Sequence, residues 1–367
     1  MNEKRTERKA WIRTLGWLHV AVLLALVAAA CGSATPVPAT TEPSVSVGPG
    51  MVDTSQYRTE PPWTVARAGS GDVNAWMATF TNHFHYAIED KHGDLFENYY
   101  ETGANFDPAK QISDVEDLLA RDIDLLFIDP ISAAALTASV ERAMDAGVPV
   151  ILVSTKAQTD NYVSWVTTDN VKVGNLFAEY MVEKLGGEGK VIVFLGSAGS
   201  SYAEENEQGI REVFANHPGM EIVGLCNCNW SPTEAKAAAE AYIQANPDGI
   251  DGIISGGLMG LGAVDAFLDA GLEVPPVAAD DWNGWLAKAK EHNLDFFAVE
   301  GGPAMSVMAV DLAVQVLNGQ PVPKYVEYEV GTFTEAELDQ HYRPDLNDQY
   351  WSLNLLPEEW VTRLYAQ

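Results

Sequence analysis

The side chains with the most chemistry to offer stand directly after short apolar runs. Asn74 and Trp76 follow the first run, Asp129 follows the third, Trp230 follows the run ending near Cys226, and Asp281 closes the run at 277–279. Carboxylates and carboxamides can grip neighbouring hydroxyls with two atoms at once, and an indole face can cover the C–H side of a sugar ring. The set therefore suits non-covalent binding of a small polar molecule. Each residue also has a plainer use. A loop Asp before a helix can serve as its N-cap, and a Trp at a strand end can belong to the core. No catalytic triad accompanies them.

The elements that must position these residues are legible from 63 onward. Apolar, β-rich runs at 64–68, 95–100, 125–128, 150–153, 162–167, 191–195, 221–226, 252–255, 277–279 and 296–299 alternate with helical patterns of ten to fifteen residues. Several runs are continuously apolar, as strands buried on both faces of a parallel sheet must be. Repeated βαβ order predicts an α/β protein with open parallel sheets, whose ligands sit outside the carboxyl ends of the strands. The candidate residues lie in those loops.

The segments Asn105-Phe106-Asp107-Pro108, Ile128-Asp129-Pro130, Ala146-Gly147-Val148-Pro149, Thr168-Asp169-Asn170, Gly196-Ser197-Ala198-Gly199, Leu261-Gly262-Ala263, Asp280-Asp281-Trp282-Asn283-Gly284 and Gly319-Gln320-Pro321 occur in a specific order. Over about 63–330 this ordered set resembles the ribose-type periplasmic sugar-binding proteins. The resemblance implies two doubly wound parallel-sheet lobes joined by a three-strand hinge, the type I periplasmic-binding fold, with a cleft that closes on a sugar. It places the first lobe at 62–168 plus 301–323 and the second at 169–300 plus 324–335, with crossings near Thr168, Glu300 and Lys324. Residues 336–367 form a C-terminal extension packed on the body.

By matching position, Asn74 and Trp76 resemble the family's entry to the first helix, with Trp76 as stacking platform and Trp230 as the opposing wall. Asp129 and Asp281 fall at sugar-binding positions, and Glu300 falls near a hinge Gln. The sequence departs from the family at Ser154, where Asp-Arg is usual, and at Glu204 and Asn206, where Arg residues are usual. Loss of Arg and gain of Glu make the cleft more acidic, so ribose fits poorly and a polyol, amino sugar or other cation is open. Glu204 can equally be a solvated helix start.

The chain has 367 residues and a formal charge of −30, from 22 Lys or Arg against 52 Asp or Glu, with 47% hydrophobic and 10% aromatic residues. That apolar content excludes a disordered acidic chain, and the charge excludes nucleic acid as a partner. Basic residues from Lys4 to Arg13 and an apolar run from Leu15 to Ala30 read as a signal peptide at 1–30. Ala28-Ala29-Ala30-Cys31 resembles a bacterial lipobox, which makes Cys31 the lipidation site; plain export is the alternative. Residues 31–61, rich in Pro, Thr and Ser, read as anchor and flexible tether. The only membrane contact expected is through that anchor.

Cys226 and Cys228 could be free thiols, a strained disulfide or part of a metal site. Gly69-Ser70-Gly71-Asp72 lacks the third Gly of a dinucleotide fingerprint, and His83 and His85 would lie on different helix faces. No metal, cofactor or catalytic residue is expected. The leading expectation is a monomeric, lipid-anchored, extracytoplasmic substrate-binding subunit of an ABC importer, taking a monosaccharide or polyol and delivering it to permease subunits. A sugar-sensing receptor subunit for signalling or chemotaxis is the alternative. A secreted carbohydrate-active enzyme using Asp129 and Asp281 is a weaker one.

Overall fold

The computed structural model describes residues 50–367 and, before them, the backbone of one strand, Val45–Val47. The signal peptide at 1–30 and Cys31 lie outside the described residues. The strands are β1 Val45–Val47, β2 Met51–Val52, β3 Trp63–Gly69, β4 Phe96–Gly103, β5 Leu125–Ile128, β6 Val150–Val153, β7 Ser164–Thr167 and β8 Glu188–Leu195. They continue as β9 Gly219–Asn227, β10 Gly252–Ser255, β11 Val277–Asp280, β12 Phe296–Val299, β13 Val322–Pro323, β14 Tyr325–Tyr328 and β15 Thr332–Thr334. The helices are α1 Ala75–Tyr86, α2 Pro108–Leu119, α3 Ala133–Asp145, α4 Asn170–Leu185, α5 Ser201–Phe214, α6 Pro232–Ala245, α7 Met259–Asp269, α8 Asn283–His292, α9 Met305–Leu317, α10 Leu338–His341 and α11 Glu358–Tyr365.

Two sheets result. The first has the order β1-β14-β7-β6-β5-β3-β4 and the second β15-β12-β11-β10-β8-β9. Pairing is parallel throughout except at β1 and β15, which add antiparallel edges. Every residue of β5, β6, β7, β10 and β11 is buried, because helices cover both faces. In the first lobe, Trp63, Phe80, Phe84 and Phe127 pack with the apolar side of α9, and Ala66, Leu126, Val140 and Leu152 form the opposite layer. In the second lobe, Ile192, Phe194, Phe267 and Trp285 fill one layer and Val191, Phe177, Ile210 and Ile254 the other.

The strand-to-helix loops end in capping residues, which aim helix N-termini at one edge of each sheet. Asn74 accepts from Met77 N, Asp107 from Ala109 N, Ser132 from Ala135 N, Asp169 from Lys172 N, Ser200 from Ala203 N and Ser231 from Glu234 N. Each cap is worth about 1 kcal/mol and sets where its helix starts. Asn74 thus has the capping role as well as its place in the loop.

Two boundaries differ from the sequence expectation. Part of the expected tether is built into the first lobe: β1 pairs with β14, β2 pairs with β13, and Thr59 N donates to Leu317 O at 3.0 Å. Edge pairing uses backbone groups, so these short strands need no side-chain periodicity. The third crossing comes later than Lys324. β14 pairs in parallel with β7, with Tyr325 opposite Trp165, and so stays in the first sheet, while β15 joins the second against β12. The chain crosses at 329–331, because Val326 and Tyr328 are buried in the first-lobe core.

The C-terminal segment touches both lobes. Trp351 is fully buried in the second-lobe core and bridges to Trp282, while the Asn283 side chain donates to the carbonyls of Arg343, Leu346 and Asn347. Further along, Leu355 N donates to His83 Nε2 at 3.2 Å and Tyr365 OH donates to Thr79 Oγ1 at 3.0 Å, both on α1 of the first lobe. Trp360 Nε1 donates to Asp90, and its ring meets Tyr86 edge-on at 5.7 Å.

Candidate functional site

A cavity opens between the lobes, at the carboxyl ends of both sheets. Its first-lobe wall carries Asn74, Trp76, Phe106, Asp129 and Ser154, and its second-lobe wall carries Tyr202, Trp230, Gly257 and Asp280. Thr168, Asn170, Glu300 and Gly301 line it from the first two crossings.

Aromatic rings form much of the wall. Phe106, at the end of β4, stacks on Trp230, at the end of β9, with ring centres 5.6 Å apart and planes 22° apart. This stack joins the two lobes across the cleft. Tyr202, in the first turn of α5, lies 6.2 Å from the same indole. Trp76 stacks on Phe80 at 4.9 Å, and its Nε1 donates to Gly301 O at 2.8 Å, so it clasps the second crossing.

Trp230 is held by an unusual turn. Asn229 and Trp230 both have φ in the left-handed region, 51° and 54°, which bulky residues rarely adopt. The preceding Cys226 and Cys228 are joined in a disulfide with a Cα separation of 5.3 Å. Of the three arrangements open from the sequence, the disulfide is the one present. Cys228 lies past the end of β9, where the chain is already turning, and this brings the two side chains together. The indole then lies in a slot between glycines. A Cβ on Gly196 would fall 2.2 Å from it and one on Gly257 2.6 Å.

The carboxylates are held in different ways. Asp129 is buried at the end of β5, with Oδ1 accepting from Arg67 Nε at 3.0 Å and Oδ2 from the backbone and hydroxyl of Ser70. Arg67 itself is buried and also bonds Thr81 and Glu101, and Glu101 in turn accepts from His85. Asp280 has no cation beside it and accepts from Gly257 N. Burial, followed by the charge of Asp281, pushes its carboxyl up to about 8. Glu300 is pushed up to about 7, again by burial first and Asp281 second.

Residues 68–321 match the periplasmic binding protein domain family. The chain is a periplasmic binding protein. Its relatives include the ribose import binding protein RbsB of Bacillus subtilis, 28% identical over 61% of this chain and 72% of that protein. Another is the xylitol-binding protein of Mycolicibacterium smegmatis, 26% identical over 64% of this chain and 68% of its own length. Among solved structures, an ABC transporter solute binding protein from Thermobispora bispora superposes with a TM-score of 0.72 and 25% identity, covering 79% of this chain and 90% of that one. A galactofuranose binding protein shares the fold, with a TM-score of 0.71 and 24% identity over 76% of this chain and 97% of its own.

In this binding protein Asn74, Trp76, Asp129, Ser154, Trp230 and Glu300 line the cavity. Three residues expected beside them do not. Asp281 faces away from the cavity: its Oδ1 accepts from Gly301 N at 2.7 Å and its Oδ2 from Ser352 Oγ at 2.6 Å and Leu353 N at 3.0 Å. Neighbouring residues at a strand end point to opposite faces, so Asp280 takes the cavity side. Glu204 is exposed on α5. Asn206 is buried on that helix, with its amide donating to Tyr202 O and its backbone against Gly174.

Sequence reasoning passed over Phe106, Tyr202 and Asp280 as site residues. Phe106 stands in the loop after β4 and Tyr202 next to a helix start. An aromatic beside a capped loop was the signal available for both.

Proposed function

We propose that the protein is the substrate-binding subunit of an ABC importer, which captures a monosaccharide or polyol in the interlobe cavity and delivers it to permease subunits without chemical change. The observation that carries this reading is the cavity itself, where indole and phenyl faces from both lobes surround carboxylates able to accept from hydroxyls. Asn74, Trp76, Asp129, Ser154, Trp230 and Glu300 are proposed as ligand contacts, and Phe106, Tyr202 and Asp280 join them.

Ligand enters while the lobes are apart, and closure then brings the Phe106 and Trp230 walls together around it. The relatives named for ribose and xylitol support this ligand class. Cys31 is proposed to carry the lipid that holds a monomeric protein outside the cytoplasmic membrane, with 1–30 removed. Thermal-shift screening of the purified chain against monosaccharides and polyols tests the reading. Stabilisation by at least one of them is expected, and no stabilisation by any, together with turnover of a glycoside, would overturn it.

A further inference from the structure

The cavity is unbalanced in charge. Among the residues that line it, none is Lys, Arg or His, while Asp129, Asp280 and Glu300 all reach it. Arg67 balances Asp129 from behind, through the 3.0 Å bond between Nε and Oδ1. Asp280 and Glu300 have no such partner. The groups facing Asp280 are Asp281 and the phenol of Tyr202, and those facing Glu300 are Asp281, Tyr328 and His341, whose Nδ1 lies 3.8 Å from Oε1. His341 is held below its ordinary range by burial, so it is mainly neutral near pH 7.

Several of its donors are spent. Trp76 Nε1 is bonded to Gly301 O, Gly257 N to Asp280 and the Asn170 amide to Glu205. The Ser200 hydroxyl donates to Ser197 O. What remains is the Asn74 amide, the Ser154 and Tyr202 hydroxyls and the Trp230 N–H, beside carboxylate lone pairs and aromatic faces that attract a cation as well as covering C–H groups.

Building on the sugar or polyol reading above, we infer that the ligand carries a protonated amine, as an amino sugar or aminopolyol does, and that Asp280 and Glu300 are the residues that select it. An ammonium supplies the counter-charge both carboxylates lack and up to three charge-assisted donors to them. The hydroxylated part of the ligand is left to Asp129, Trp76 and Trp230.

Calorimetric titration of the purified chain with matched pairs tests this, using glucosamine against glucose, galactosamine against galactose and aminopolyols against their parent polyols. At pH 7 the amine of at least one pair should bind about tenfold tighter or more than its neutral twin, the scale of one charge-assisted hydrogen bond. The ratio of amine to neutral-twin affinity should fall below about threefold in Asp280→Asn and Glu300→Gln, whatever each change does to the neutral twin. A readout free of variants is proton release. Near pH 6 an arriving ammonium should expel protons from the cleft carboxyls, seen as a binding heat that depends on the buffer, whereas a neutral twin should not. Neutral twins binding as tightly as amines would overturn the amine inference and leave the sugar or polyol reading standing. Absence of binding by every amine of the series would likewise overturn the amine inference, whereas the sugar or polyol reading is decided by the thermal-shift screen.

Discussion

Trp230 sits in a backbone conformation that an aromatic residue adopts only where its surroundings hold it, and those surroundings are the Cys226–Cys228 disulfide and the slot between Gly196 and Gly257. Gly196→Ala should push the indole off the cleft wall and weaken ligand binding while leaving the fold intact, since Gly196 lies in a loop. Trp230→Ala should cost about 10- to 100-fold in affinity, the range for an aromatic at the centre of a binding surface. Titration calorimetry reads both, and unchanged affinity in Trp230→Ala would remove the residue from the site. His83 illustrates pH dependence at this scale. Its Nδ1 donates to Thr79 O at 2.7 Å, its Nε2 accepts from Leu355 N, and burial lowers it to about 4. The unfolded chain therefore binds a proton on this residue that the folded chain refuses between about 6.5 and 4. The neutral ring's contribution is complete above about 6.5 and is lost as pH falls toward 4. His83→Gln should flatten the fall in denaturation midpoint over that window.

At the scale of elements, the buried strands were the most legible feature, because strands covered on both faces must be continuously apolar; 125–128 and 150–153 read directly as β5 and β6. Three things were less legible, each for a physical reason. Edge strands such as β1 and β2 are held by backbone pairing, which leaves no side-chain signature. The third crossing falls where β14 and β15, both short and β-rich, follow one another, and the sequence carries no mark of which sheet each joins. The choice between Asp280 and Asp281 turns on a one-residue register, and adjacent acidic residues at a strand end read alike. The structure assigns Asp281 to joining the second crossing, at Gly301 N, to the C-terminal segment at Ser352 and Leu353. Asp281→Ala leaves three donors unpaired and should lower stability by about 3 kcal/mol or more, read from the midpoint of urea unfolding. Ser352→Ala, which removes one of the three bonds, should cost about 1 kcal/mol.

Across the whole molecule, the two lobes are tied by three chain crossings and again by the C-terminal segment, which bonds α1 on one side and α8 on the other. Asp280 and Glu300 couple this closed arrangement to pH. With the lobes together, burial helps push them up to about 8 and about 7, and separation of the lobes, which hydrates them, lowers both. The closed form therefore binds more protons than the open one. Its advantage is lost as pH rises through 7 and 8. Small-angle scattering of the ligand-free protein should show the radius of gyration increasing from pH 5 to pH 9. A constant radius would mean that these carboxyls do not govern lobe separation. The stack of Phe106 on Trp230 has a further use, because it exists only while the lobes are together. Opening moves the Trp230 indole from an aromatic contact into water and shifts its emission to longer wavelength, so the protein carries an optical indicator of its own lobe angle.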